Sequence, residues 1–299
     1  MEPTISSGSF DPLYDSEEAC ARELFRMKWP NGYFCPVCRY RDATIIATRR
    51  LPLFECRRCR HQTSLTAGTV MEKSKTPLRK WFMAMQLLAR GANARQLSDV
   101  LRVTYKTAWL IGHKIRHAIL LAESELSLTG GVKVLESRFG PTSFASMFDR
   151  NAKCHPLIAA AAVSEDGERL LRVKWHQVAP IHLLSGMITK EGFQQFIKDN
   201  VSPNAKISLA RGLYQAVRHP LSRFCRTAVR WMNKTYLGLG PKHLQAYLDE
   251  YAYRQHFSSG DNLDVQDLLQ RCASRPVITY PQLVRQGHLP HPHLVSKAV

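Results

Sequence analysis

Two Cys-x-x-Cys pairs, Cys35/Cys38 and Cys56/Cys59, stand near the head of the chain with positions 39–55 between them. That spacing fits four thiolates closing on one tetrahedral zinc ion. Each pair makes a tight turn that aims two sulfurs at one point, and "TIIATRR" and "LPLFEC" between them pair as strands of a hairpin. Residues 30–72 are therefore expected to fold as a zinc ribbon around a structural zinc. A redox role for a single Cys-x-x-Cys leaves the second, matched pair unexplained. Arg49, Arg50, Arg57, Arg58 and Arg60 crowd the ribbon, where they lower thiol pKa values and are placed to contact phosphates. Cys20, Cys154, Cys225 and Cys272 are scattered and read as small, partly buried side chains.

Charge extends the argument. The chain carries 42 Lys and Arg against 24 Asp and Glu, a net +18 over 299 residues. The basic excess is concentrated in positions 30–120, where Asp42, Glu55, Glu72 and Asp99 are the only acids, whereas positions 1–29 are acidic on balance. A basic block of this kind calls for a polyanionic partner, most often nucleic acid, against the plainer reading of a solvated basic face. No apolar run approaches the ~20 residues a membrane span needs. The acidic start, "MEPTISSGSFDPLYDSEEAC", lacks the basic opening and apolar core of a signal peptide. The expected location is the cytoplasm, in association with the nucleoid.

The segment 73–122 carries helix punctuation. Thr76 and Pro77 suit a helix start and Gly91 a left-handed helix end, with Leu78, Trp81, Phe82, Met85 and Leu88 recurring at helical spacing. A short helix over Ala94–Leu101, the turn "RVT", and a longer helix from Tyr105 capped by Thr104 follow the plan of a helix-turn-helix. Tyr105 and Lys106, with Trp109 a further candidate, then face base edges, Ala108, Ile111 and Ile115 face inward, and Arg79, Lys80 and Arg95 join the DNA-facing set. A plain helical hairpin is the alternative.

After Gly130 the pattern alternates. "VKVLES" is one strand, and "PLIAAAAVSEDGERLLRVKW" is two strands around a turn at Asp166-Gly167. "TKEGFQQFIKDN" is an amphipathic helix, "AKISLA" a short strand, and two helical stretches close the domain. The order of three strands, helix, strand and helices is that of an RNase H-like fold. The chain is thus expected to be multidomain α+β: an N-terminal extension (1–29), a zinc ribbon (30–72), a helix-turn-helix segment (73–122), an RNase H-like α/β domain with a mixed sheet (130–257), and a loosely structured tail (258–299). His288, His291 and His293 in that tail are poor evidence for a second metal site.

The ribbon running into "FECRRCRHQTSLTAGTVMEKSKTPLRKWFMAMQLLARG", then "RQLSDVLRVTYKTAWLIGHKIRHAI", and later "WMNKTYLGLGPKHLQAYLDEYAYRQHF", resembles the zinc-ribbon DDE transposases of bacterial insertion sequences, the group related to Merlin elements. The resemblance implies a protein that binds element ends, admits a homo-oligomer, and cuts and joins DNA with Mg²⁺. It also implies where the acids should be. The first falls on Leu135 in "VKVLES", the second, counted back from Tyr214, on Leu209, and the third on Thr227. None is a carboxylate, so no residue is expected to be catalytic and Mg²⁺ is expected only if the nuclease site works. Glu136 stands next to the first position, but adjacent strand residues point to opposite faces; Asp149, Glu165, Asp166 and Asp199 read as solvated charges, and Asp249 and Glu250 as helix packing. The expected function is DNA binding by a transposase-family protein whose cleavage and strand transfer are lost. A working transposase with displaced acids and a zinc-ribbon DNA-binding regulator are the alternatives.

Overall fold

The structure, a computed structural model, describes residues 11–140, 154–209, 219–257 and 265–286. Asp149, Tyr214 and the histidines at 288, 291 and 293 lie outside the described residues. The chain divides into two compact units. One comprises residues 1–119 with 262–282, the other residues 120–261 with 283–299.

In the first unit, Ser16 caps helix α1 (Glu17–Lys28) by accepting from the Ala19 amide, and acids open and bases close the helix, as its dipole favours. Cys20, Leu24 and Met27 form its buried stripe. Strands β1 (Ala43–Ile46), β2 (Leu53–Cys56) and β3 (Gln62–Ser64) make an antiparallel sheet. Phe54 of β2 packs on Trp29 at a ring separation of 5.0 Å and on Phe25 at 5.4 Å, which welds α1 to the ribbon. Within the expected N-terminal extension, the apolar spacing of α1 buries that helix against the ribbon.

Helix α2 (Leu78–Ala89) buries Leu78, Trp81, Phe82, Met85 and Leu88, as its spacing requires. Thr76 does not cap it. The free amides of Leu78 and Arg79 instead donate to the Glu17 carboxylate, at 2.9 and 3.0 Å. Helix α3 (Ala94–Leu101) opens with a capping box between Asn93 and Gln96 and ends at Arg102, a left-handed residue with φ +49°. Thr104 then caps helix α4 (Tyr105–Ser124), accepting from the Thr107 amide at 3.3 Å. Ala108, Ile111 and Ile115 are buried, as expected.

In the second unit, β4 (Gly131–Phe139), β5 (His155–Val163) and β6 (Leu170–Gln177) run antiparallel, and β9 (Lys206–Leu209) lies parallel to β4, giving the order β6-β5-β4-β9. A two-stranded hairpin, β7 (Leu183–Leu184) and β8 (Met187–Ile188), precedes helix α5 (Lys190–Asn200). The run of four alanines in β5, Ala159–Ala162, keeps both faces shallow enough for helices to close on them. One face, with Leu135, Ala159 and Trp175, packs on helices α6 (Pro220–Tyr236) and α7 (Pro241–Phe257). The other, with Val132, Val134 and Ile158, packs on Phe196 of α5.

Two described segments of the tail are helical, α8 (Val265–Ser274) and α9 (Tyr280–Gln286). Leu268, Leu269 and Cys272 of α8 are buried, and α8 packs on α1 and α2 of the first unit. Its apolar stripe, at i, i+1 and i+4, is too short to stand out against the proline and histidine that follow it.

Candidate metal centre and nucleic-acid interface

The two cysteine knuckles are built alike. The Arg39 amide donates to the Cys35 carbonyl at 3.0 Å, and the Arg60 amide to the Cys56 carbonyl at 2.9 Å. The Cys35 amide in turn donates to the Tyr40 carbonyl at 2.8 Å, and that of Cys56 to the His61 carbonyl at 2.9 Å. Arg39 and Arg60 both sit in the left-handed region, φ 62° and 60°, so each turn closes at the same place. The four sulfurs lie within 4.8 Å of one another, with 3.5 Å separating Cys35 from Cys59 and Cys38 from Cys56. Four thiolates about 2.3 Å from one tetrahedral zinc sit about 3.8 Å apart, a spacing within the range these sulfurs span. Desolvation raises the Cys35 thiol, yet donation from the Cys38 and Val37 amides wins and brings it down to about 6. At Cys59, donation from the backbone at His61 is outweighed by desolvation and three neighbouring sulfurs, and the thiol rises to about 12. Four thiolates in this space need a cation among them. Among the described residues, these cysteines are the one cluster of three or more metal-ligating side chains drawn this close.

The basic residues expected to meet DNA divide by environment. Arg50, Arg57 and Arg60 pair with Glu17, Asp42 and Glu55 at 3.3, 3.0 and 3.0 Å. Exposed pairs of this kind hold side chains only weakly and open to a stronger anion. Arg49 and Arg58 are exposed and make no ion pair among the described residues. Arg79 and Arg95 are exposed, and Lys80 donates to the Arg102 carbonyl at 3.3 Å. Tyr105 is 57% exposed at the start of α4, and the Lys106 ammonium lies 4.9 Å from the Tyr280 ring centroid. No local signal in the sequence singles out Glu17, which joins α1, the ribbon turn and α2. Its acidic neighbourhood marks a helix start, but nothing in it specifies partners as distant along the chain as Arg50 and Leu78.

The three positions inferred for acids do not converge. Leu135 is 3% exposed and packs toward Leu221, Cys225 and Ala228 of α6. Leu209 is the register partner of Val134, so it shares Val134's face of the sheet rather than Leu135's. Thr227 is exposed on the outer side of α6, beside the inward Ala228. Ser208 does lie on the Leu135 side, where its hydroxyl accepts from Lys133 at 2.9 Å. For the second and third positions no shift of alignment supplies a carboxylate, because the sequence has no Asp or Glu between Asp199 and Asp249, and Glu136, next to Leu135, lies on the opposite face of β4.

The enclosed acids sit elsewhere. Glu123 and Asp249 line a cavity of about 360 Å³ beside β6, at the opposite edge of the sheet from β9. Arg172 pairs with Glu123 at 2.9 Å, and Gln245 donates to Asp249 at 3.0 Å. Desolvation, with the field of Glu123 added, pushes the Asp249 carboxyl up to about 8. Burial lowers the pKa of Lys174 in the same cavity. Glu250 is buried against Arg254 at 3.5 Å, and Arg254 lies 4.1 Å from the Trp231 ring centroid. Glu136 pairs with Arg138 at the surface, at 3.3 Å.

Residues 15–62 match the family model described as a transposase zinc-ribbon domain. Over 96 residues the chain is 34% identical to a protein of Halobacterium salinarum described as an "uncharacterized protein in transposable element ISH50". That alignment covers 31% of this chain and 33% of the relative, so the chain spans about a third of the relative's length. No solved structure matches the chain. Residues 15–62 are thus similar to a transposase zinc ribbon, and about a third of the chain to a protein carried on a transposable element. Among the described residues, no helix is long and apolar enough to cross a membrane.

Proposed function

We propose that the chain is an insertion-sequence transposase-family protein that binds DNA through its zinc ribbon and a helix-turn-helix formed by α3 and α4, and that has lost cleavage and strand transfer. Zinc held by Cys35, Cys38, Cys56 and Cys59 is structural: it fixes the ribbon and the arginines around it. The partner is double-stranded DNA, met by Arg49, Arg50, Arg57, Arg58 and Arg60 of the ribbon and by Arg79, Lys80, Arg95, Tyr105 and Lys106 of the helices. Such a protein resides in the cytoplasm on the nucleoid. The mixed sheet with β9 parallel to β4 and helices on both faces supports an RNase H-like reading of the second unit.

One observation carries the loss of chemistry. Leu135 is buried where the resemblance places the first metal-binding Asp, and no acid lies between Asp199 and Asp249 to serve β9 or α6. In-line phosphoryl transfer by two metals needs carboxylates that bridge or flank both ions, and leucine offers no ligand atom. Binding tests the first half of the proposal: affinity for duplex DNA falls steeply as salt rises, because a basic face binds by releasing counterions. A flat salt dependence contradicts DNA binding by this surface. Incubation of supercoiled DNA with the protein and Mg²⁺ or Mn²⁺ tests the second half, and the expected result is no nicking.

A further inference from the structure

A cleft of about 770 Å³ in the first unit is lined by four cations, Arg50, Arg79, Lys80 and Arg102, and by two acids, Glu17 and Glu18. Glu17 is already engaged by the Leu78 and Arg79 amides and by Arg50. Arg102 is exposed and makes no ion pair among the described residues. Its backbone is the informative part. With φ +49°, Arg102 occupies the residue after α3, where a Cβ is unfavourable and glycine or asparagine ordinarily stands. The chain keeps an arginine in this strained position, between α3 and the start of α4, at the wall of the cleft. A guanidinium there offers a planar fork of donors that matches a phosphate.

We propose that this cleft seats the sugar-phosphate backbone of duplex DNA, with Arg102 as a phosphate contact that is independent of sequence. The proposal rests on the DNA-binding reading above and adds to it a residue and a type of contact. The cleft draws its cations from the ribbon turn (Arg50), the first turn of α2 (Arg79, Lys80) and the α3–α4 turn (Arg102), so one strand lying in it is held by all three. Phosphate contacts of this kind fix the register of a protein on DNA, while base contacts select the sequence.

Arg102→Gly separates this role from a structural one. Glycine relieves the left-handed strain and keeps the Arg102 carbonyl that Lys80 uses, so the melting temperature is expected to equal or exceed that of the wild type. Affinity is measured by fluorescence anisotropy on two labelled duplexes, one AT-rich and one GC-rich, across a salt series. The expected result is a loss of about five- to tenfold on both duplexes, with the slope of log K against log salt reduced by about one. Arg102→Lys should restore that slope. If the wild type binds steeply with salt and Arg102→Gly binds equally well with the same slope, the cleft is not a phosphate site. A loss confined to one duplex makes Arg102 a base contact and overturns the proposal as well. A wild type that does not bind either duplex overturns the DNA-binding reading together with this inference.

Discussion

Val134 and Leu209 are direct register partners in the parallel pair of β4 and β9, which turns Leu209 away from the face that carries Leu135. Two positions inferred to belong to one metal site thus lie on opposite sides of the sheet. Their environments differ as sharply: Leu135 is 3% exposed and Leu209 is 37% exposed. Leu135→Asp places a carboxylate without a partner among Leu157, Ala159 and Leu221. It is expected to destabilise the fold by about 3–5 kcal/mol. Leu209→Asp, at the sheet edge, is expected to stay within about 1 kcal/mol. Urea unfolding of the two variants checks this, and equal losses would refute the assignment of faces.

The ribbon depends on its ion. Cys35→Ser, or treatment with a strong chelator, is expected to remove bound zinc and unfold residues 30–72, because ligand binding and folding are one equilibrium in such a small sheet. Metal content by mass spectrometry, with circular dichroism, reads the outcome. Full zinc content and an unchanged spectrum after Cys35→Ser would show that the four sulfurs are not the ligands.

Glu17 closes the first turn of α2 from a distance and pairs with Arg50. Glu17→Ala leaves two helix-start amides without their acceptor, at an expected cost of about 1–2 kcal/mol, while Glu17→Gln keeps one acceptor and costs about half. The urea midpoint should fall with the slope of the transition unchanged. A midpoint equal to that of wild type in Glu17→Ala would mean that water replaces the carboxylate at no cost.

Asp249 gives stability a pH dependence of defined sign. Its carboxyl rises from 3.8 to about 8 on folding, so the folded state holds the proton more tightly than the unfolded chain does. The stability this confers is complete below about pH 4 and is lost as pH rises toward 8. His117, lowered to about 4 by burial, acts in the other sense: its contribution is present above about 6.5 and is lost as pH falls. Asp249→Asn keeps an oxygen for Gln245 to donate to and removes the titration. The stability of Asp249→Asn relative to wild type should therefore grow from pH 5 to pH 8 and then level off, with the His117 contribution common to both. A difference that is flat with pH would place the carboxyl in an ordinary aqueous environment.

Legibility in the sequence followed the range of the interaction. The cysteine spacing gave the metal cluster, since four sulfurs at that spacing have few other uses. Helix α3 falls on the expected Ala94–Leu101, because Asn93, Gln96 and the apolar stripe are all local signals. The turn at Asp166-Gly167 likewise separates β5 and β6 as expected. The features without a local signal are non-local: the docking of α8 onto α1 and α2, the capping of α2 by Glu17, and the partnership of Val134 with Leu209. Strand register in particular depends on the three-dimensional pairing of segments far apart in the chain, and counting along the sequence does not show that Leu209 and Leu135 lie on opposite faces. Arg102 was legible only once its φ was known, since in sequence it is one more arginine in a basic stretch.

The central claim is a DNA-binding protein of transposase type without DNA cleavage. A single electrophoretic experiment tests it, in which a duplex or supercoiled plasmid is incubated with protein and Mg²⁺ or Mn²⁺ and scored for both retardation and strand scission. The account predicts retardation that weakens steeply with salt and no scission at any metal concentration. Metal-dependent nicking that disappears in Asp249→Asn or Glu136→Gln would contradict it, and would place a working carboxylate site where none of the inferred positions lies.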